Sequence, residues 1–251
     1  MSTIDDSHLR LGNVFNFRDL GGYPTADGRT VRRGIVFRSD GLHQADEADL
    51  ATLSGIGLRT VVDLRTAEEQ RRWGVAATDR LGAELLHLPF ISELWPMEGV
   101  DEATDPVTYL IARYQEMTDV GDRVLPHVIR LIAHESHRVP VVFHCAAGKD
   151  RTGVTAAMLL ALAGVDHATI AEDYARTAQA MVELLAWVAK RHPDRTNSMV
   201  HHPPAFVSCP PAAMRGFLDS LDERYGSAEG YVRTLGVGSD DLRAFRTAFV
   251  A

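Results

Sequence analysis

Cysteine is scarce in this chain: Cys145 and Cys209 are the only two, far apart, which excludes a disulfide framework and makes a reducing cytoplasm the default compartment. Export without a recognisable signal stays open. Long apolar runs are missing as well. The longest uncharged one, Thr152 to Val165, is too short to span a bilayer, so no stable membrane insertion is expected. Residues 1–10 carry Asp5, Asp6, His8 and Arg10 and lack the apolar stretch of a secretory leader. Positive charge is in deficit, with 26 Lys and Arg against 34 Asp and Glu and a formal net charge of −8. Phosphate backbones select basic surfaces, so nucleic acid is not an expected partner, and any anion site must be basic only locally. Internal repeats and low-complexity segments are absent too. His201, His202 and Cys209 match no standard zinc spacing and sit among Pro203, Pro204, Pro210 and Pro211, the pattern of an extended loop; neither a metal nor a cofactor is expected.

What is present suits a folded domain. With 45% hydrophobic and 24% charged residues over 251 positions, the chain can bury a substantial core, and a single domain over residues 1–251 is expected. Asn16 to Tyr23 and Val31 to Phe37 flank the turn signal Ala26-Asp27-Gly28 and read as hairpin-like strands. Ala45 to Leu53 has helical spacing. Leu58 to Arg65 has a β-branched centre and reads as a buried strand, followed by a short helix over Glu68 to Trp73 and a strand over Leu85 to Phe90. Asp105-Pro106 opens a helix through about Met117, and a second helix covers about Asp122 to Glu135. Pro140 to His144 is a short apolar strand, and Thr152 to Ala163 is an almost wholly apolar, hence buried, helix stopped by Gly164. Asp166 caps a helix to about Lys190, Asn197 to Pro211 is a loop, and two helices broken near Gly226 and Gly236 complete the chain. Strands alternating with helices indicate an α/β fold, a central sheet flanked by helices, with residues 91–120 a candidate helical lid and a helical C-terminal tail. Tyr109, Ile111 and Tyr114 are the lid residues that could shield a pocket, with ordinary packing the alternative.

The chemistry concentrates in F-H-C-A-A-G-K-D-R-T-G, Phe143 to Gly153. Cys145 falls at the carboxyl end of a strand, and the loop that follows leads into the N-terminus of the buried helix, where unpaired backbone N–H groups and the positive end of the dipole gather. Such a loop is an anion cradle. Small residues at Ala146, Ala147 and Gly148 let the backbone approach a ligand, and Gly148 tolerates positive φ. A thiol aimed into the cradle is stabilised as thiolate, the nucleophilic form. Arg151 can bind two oxygens of a phosphoryl group with its planar fork, adding to the loop amides the electrostatic stabilisation that a transition state of phosphoryl transfer needs. Thr152 can donate its hydroxyl to the sulfur as it leaves. A merely buried cysteine would account for Cys145, but not for Arg151 and Thr152 at that spacing.

His144 to Gly153 resembles the phosphate-binding signature of the cysteine-dependent protein tyrosine phosphatase superfamily. Lys149-Asp150, N-F-R-D-L-G-G-Y at Asn16 to Tyr23, F-R-S-D at Phe37 to Asp40, V-V-D-L-R at Val61 to Arg65 and M-R-G-F-L-D-S-L-D-E-R-Y-G-S at Met214 to Ser227 narrow the resemblance to the bacterial tyrosine and phosphoinositide phosphatases. The resemblance implies a phosphatase fold with a mostly parallel sheet, a phosphocysteine intermediate, no metal, and phosphotyrosine proteins or phosphoinositides as substrates, with phosphoserine and phosphothreonine also conceivable. Rivals are a sulfurtransferase or arsenate reductase on a similar loop, and a phosphate-binding module without turnover.

A leaving alkoxide or phenoxide needs a general acid, which then activates water. Asp63 at a strand end is placed first, because sites collect at the carboxyl edge of a parallel sheet. Asp150 is second, being close but held ionised between Lys149 and Arg151. Glu93, Asp101 and Asp105 near the lid come third, since W-P-M-E at Trp95 to Glu98 stands where tyrosine phosphatases commonly carry W-P-D. Asp63 with Arg65 could instead be a strand-end ion pair, and Arg18, Asp19, Arg38 and Asp40 are read as hairpin ion pairs. Lys149 beside Arg151 suits a substrate with several phosphates, or is a solvated loop lysine. The phosphate-binding set is therefore Ala146, Ala147, Gly148, Lys149, Asp150, Arg151 and Thr152.

Overall fold

Four short stretches rich in β-branched and apolar residues form the parallel part of one sheet: β2 (Val36–Ser39), β3 (Thr60–Asp63), β4 (Glu84–His87) and β5 (Val141–His144). A two-residue strand, β1 (Arg18–Asp19), pairs antiparallel with β2, giving the order β1-β2-β5-β3-β4. This is the mostly parallel sheet expected. The computed structural model describes residues 9, 11–95, 100–121, 123–191 and 203–251. The expectations for His201, His202 and most of W-P-M-E therefore lie outside the described residues.

β5 is central, with β2 and β3 on either side in register: Ser39 and Asp63 both lie opposite His144. Alternation along the strands sends side chains to two faces. Val62, Phe143 and Cys145 belong to the larger core, and Val61, Val142 and Phe37 to a smaller one. The larger core is covered by α4 (Pro106–Val120), α5 (Val124–His134), α6 (Asp150–Ala163), α7 (His167–Ala175) and the C-terminal helices; the smaller is closed by α1 (Glu47–Ser54) and α3 (Thr78–Leu81). Between them α2 (Ala67–Trp73) follows β3.

Three departures bear on the site. Of the segment 91–120 expected as a lid, α4 is a core helix: Leu110, Tyr114 and Met117 are essentially fully buried. The helix expected from Asp166 to Lys190 is two, α7 and α8 (Thr177–Arg191), and Thr177 at the junction accepts hydrogen bonds from buried side chains beneath the cradle. After a single turn, α9 (Pro204–Val207), the tail holds three helices, α10 (Pro211–Tyr225), α11 (Ala228–Thr234) and α12 (Ser239–Phe249), separated by left-handed Gly226 and Gly236. Among the described residues no helix is long and apolar enough to cross a membrane.

Candidate active site

The loop from Cys145 to Lys149 joins β5 to α6 at the carboxyl edge of the sheet, beside the strand-end segment Ser39 to Gly41. The first helical hydrogen bond is Gly153 N–H to Lys149 C=O at 2.9 Å, and no backbone N–H from Ala146 to Thr152 has a partner among the described residues. Consecutive free amides at a helix N-terminus form a concave anion receptor. Its carbonyls are held on the other side. Gly148 C=O accepts from Asn16 Nδ2 at 2.9 Å and Arg38 Nη2 at 2.8 Å, and Ala146 C=O accepts from Gly41 N–H at 3.0 Å. Gly148 has φ of +68°, and a Cβ there would lie 2.6 Å from Asn16 Nδ2 and 2.7 Å from Ser39 O, so glycine is needed for conformation and for space.

The braces are themselves buried ions. Arg18 and Arg38, both at 0% exposure, converge on Asp173 from α7: Arg18 Nε donates to Oδ1 at 2.8 Å and Arg38 Nη1 to Oδ2 at 2.6 Å. Tyr23 adds its hydroxyl to Oδ1 at 2.9 Å, and Asn16 Oδ1 accepts from Arg18. Burial opposes the charge of Asp173, but the two arginines outweigh it and hold the carboxyl well below the usual range. The hairpin ion pairs expected for these arginines do not form. Asp19 accepts instead from the backbone of Gly21 and Gly34, and Asp40 from that of Phe15 and Asn16.

Cys145 is 2% exposed on the larger-core face of the sheet. Arg151, on the first turn of α6, donates from Nη1 and Nη2 to the two oxygens of Glu69 at 2.5 and 2.9 Å. Glu69 is oriented by a capping box at the start of α2, in which Thr66 N–H donates to Oε2 at 2.8 Å and Glu69 N–H to Thr66 Oγ1 at 3.2 Å. Burial works against the Arg151 charge, yet Cys145 and Glu69 more than offset it and raise its pKa above the ordinary value. Thr152 is fully buried, its Oγ1 3.5 Å from Ser39 O.

Asp63 lies at the end of β3 as expected, but its register partner is His144, which points to the face opposite Cys145. The carboxylate is fully buried and holds Arg65 through Nε and Nη2, the latter at 2.7 Å, while Gln70 Nε2 donates at 2.9 Å. Burial would raise its pKa, and Arg65, His144 and Gln70 together hold it well below the usual range. Arg65 is the cause to rely on, since burial drives His144 itself toward the neutral form. The strand-end ion pair is thus what forms at Asp63. Asp150 sits on the cradle with its side chain 26% exposed, and its Oδ1 accepts from Tyr114 Oη at 2.8 Å. Lys149 is 1% exposed: Nζ donates to Phe206 O at 2.8 Å, lies 3.4 Å from Ala205 O, and stands 3.5 Å from Asp150 Oδ1. It is not a solvated loop lysine.

Sequence reasoning missed Glu69, Asn16 and Asp173 as parts of this arrangement, and it placed Tyr114 as a lid residue shielding the pocket rather than as a donor to Asp150. T-A-E-E at Thr66 to Glu69 is a capping-box signal directly after a strand and could have located Glu69. No comparable signal marks Asp173, an acid on a helix far along the chain.

A cysteine at the start of a loop of amides unpartnered among the described residues, with a carboxylate-held arginine on the helix that follows, is an arrangement suited to a phosphoryl group. The profile of the tyrosine phosphatase family matches residues 9–251, and the chain belongs to that family. It is 29% identical to the triple specificity protein phosphatase PtpB of Mycobacterium tuberculosis over 94% of this chain and 96% of that one. To a tyrosine-protein phosphatase of Nostoc commune it is 26% identical over 89% of this chain and 76% of the relative. The protein is a cysteine-dependent protein-tyrosine phosphatase, as the resemblance implied.

Proposed function

We propose that the protein hydrolyses phosphotyrosine in two steps, with Cys145 as nucleophile and Asp150 as general acid and base. The Cys145 thiolate attacks phosphorus, the bond to the tyrosyl oxygen breaks, and that oxygen takes the proton of Asp150. Water then attacks the phosphocysteine, gives its proton to Asp150 and releases phosphate as the sulfur departs, helped by Thr152. Arg151 and the amides of residues 146–152 bind the equatorial oxygens throughout. The observation that carries this reading is the run of unpartnered amides around Cys145. Asp150 takes the proton role because it is the carboxylate on the cradle; Asp63 is committed to Arg65 and points to the other face.

Phosphotyrosine comes first among substrates, with phosphoserine, phosphothreonine and phosphoinositides behind it. The lipid reading rests on the family resemblance and on Lys149, and at Lys149 a second phosphate would have to displace the carbonyls of Ala205 and Phe206 from its ammonium. The test is phosphate release from a phosphotyrosine peptide and a phosphoinositide panel by wild type, Cys145→Ser, Asp150→Asn and Asp63→Asn. Expected are no release by Cys145→Ser, a loss of about a hundredfold or more in kcat for Asp150→Asn, and a kcat close to that of wild type, with lower stability, for Asp63→Asn. Equal loss of kcat by Asp63→Asn with Asp150→Asn fully active would overturn the assignment of the acid. Wild type silent on every substrate would return the cradle to a binding role.

A further inference from the structure

The two oxygens of Asp150 have different surroundings. Oδ1 accepts the hydroxyl of Tyr114 at 2.8 Å and lies 3.5 Å from Lys149 Nζ. Oδ2 has no hydrogen bond among the described residues. The Tyr114 oxygen is 2.6 Å from that of Tyr174, and because the single hydroxyl proton of Tyr114 goes to Asp150, Tyr174 is the donor in the second bond. The phenols thus form a one-way chain from α7 through α4 to the cradle.

Both rings are locked. Tyr114 and Tyr174 are 0% and 1% exposed, they meet edge to face at 6.1 Å, and Tyr114 meets Phe217 of α10 in the same manner at 5.9 Å. Burial, and after it the charge of Asp150, pushes the Tyr114 phenol well above its ordinary value, so it stays a donor over any working pH. Water cannot replace a hydroxyl held this deep.

We infer that Tyr114, backed by Tyr174, is a positioning residue for the reaction: its hydroxyl pins Oδ1 of Asp150 so that the transferred proton is carried on Oδ2, at the leaving-group side of the cradle. The inference rests on the reading of Asp150 as the general acid. A carboxyl free to rotate would present the proton in several directions, and misplacement of a proton donor costs rate without costing affinity.

The test compares Tyr114→Phe, Tyr174→Phe and Asp150→Asn on two aryl phosphates. Phenyl phosphate has a leaving group that needs protonation, and dinitrophenyl phosphate has one that does not. Tyr114→Phe is expected to lower kcat/KM for phenyl phosphate about tenfold, as loss of one hydrogen bond to a charged group implies. Its kcat/KM for dinitrophenyl phosphate, which reports the first step alone and not the later transfer of water's proton to Asp150, should stay within about twofold. Tyr174→Phe should act in the same direction and less, and it decides the matter if Tyr114→Phe does not fold. A merely structural role would slow both substrates alike, and that result would overturn the inference. Asp150→Asn separates the two levels: if it shows no leaving-group dependence, the reading of Asp150 fails; if it does while both tyrosine variants match wild type, only the positioning role falls.

Discussion

Replacing Asp173 by asparagine keeps the shape of the side chain and removes one charge from beneath the cradle. In the folded protein that charge is shared by two guanidinium groups, Arg18 and Arg38, neither of which reaches solvent. Breaking a buried pair by removing one partner costs about 3–5 kcal/mol, because the remaining charge stays desolvated. Here two like charges are left facing each other, so the cost belongs at the upper end, about 5 kcal/mol. Against a total stability of about 5–15 kcal/mol, the variant should be marginally folded or unfolded at room temperature. Urea denaturation followed by tryptophan fluorescence reads this directly, as a lower midpoint at unchanged slope. A loss below about 1 kcal/mol would refute the reasoning, since it would mean that the arginines find water or other acceptors and that the network is not a buried triad. A variant with Met at positions 18 and 38 and Leu at 173 should recover much of the stability. It should not recover activity, because Gly148 C=O loses the Arg38 brace.

Two further predictions concern the same region. Gly148→Ala should abolish phosphate release, since its Cβ would meet Asn16 Nδ2, Ser39 O and Asp40 N, all under 3 Å; full activity would show that the loop rearranges at low cost. Burial pushes the Asp40 carboxyl up to about 6, with the backbone N–H groups of Asn16 and Phe15 opposing it only in part. A carboxyl raised in the folded state contributes stability that is complete below its unfolded pKa and lost as pH rises through the folded one. Relative to Asp40→Asn, wild type should therefore lose about 2.4 kcal/mol between pH 4 and pH 7, measured by urea titration at each pH, most of the ~3 kcal/mol that a shift from 3.8 to about 6 carries at 1.36 kcal/mol per unit. Parallel pH profiles for the two proteins would show that Asp40 keeps its ordinary affinity for protons.

The cradle was legible because it is local. One decapeptide carries the nucleophile, the small-residue loop, the arginine and the helix start, and strand-to-helix signals on either side fix its setting. The sheet was legible in its strands but not in its register, and the register decides which face Asp63 takes. The alternation rule that turns His144 away from Cys145 also turns Asp63 away, once Asp63 is known to lie opposite His144. That pairing joins strands about eighty residues apart in sequence and leaves no local trace. The break between α7 and α8 was hidden for a similar reason. No glycine or proline marks it, and Thr177 is engaged by arginines from the other end of the chain. Nor did spacing distinguish α4 as core helix from α4 as lid, because an amphipathic stripe shows that one face is covered without naming what covers it.

The sequence required an anion site that is basic only locally in a chain of charge −8, and the buried cations near the loop show how narrowly that is met. Arg18 and Arg38 are matched by Asp173, Arg65 by Asp63, and Lys149 by two carbonyls and Asp150. Even Arg151 is held end-on by Glu69. Four side-chain cations thus brace the framework, and on the proposed reading the attraction for phosphate falls to the amides of residues 146–152, unpartnered among the described residues, with Arg151 beside them. Backbone dipoles cannot be screened away or turned to solvent as a surface lysine can, provided that the loop keeps its shape. On that reading phosphate binding also depends on two residues that never touch phosphate, Asn16 and Arg38, which hold the Gly148 carbonyl inward so that the amides face the ligand.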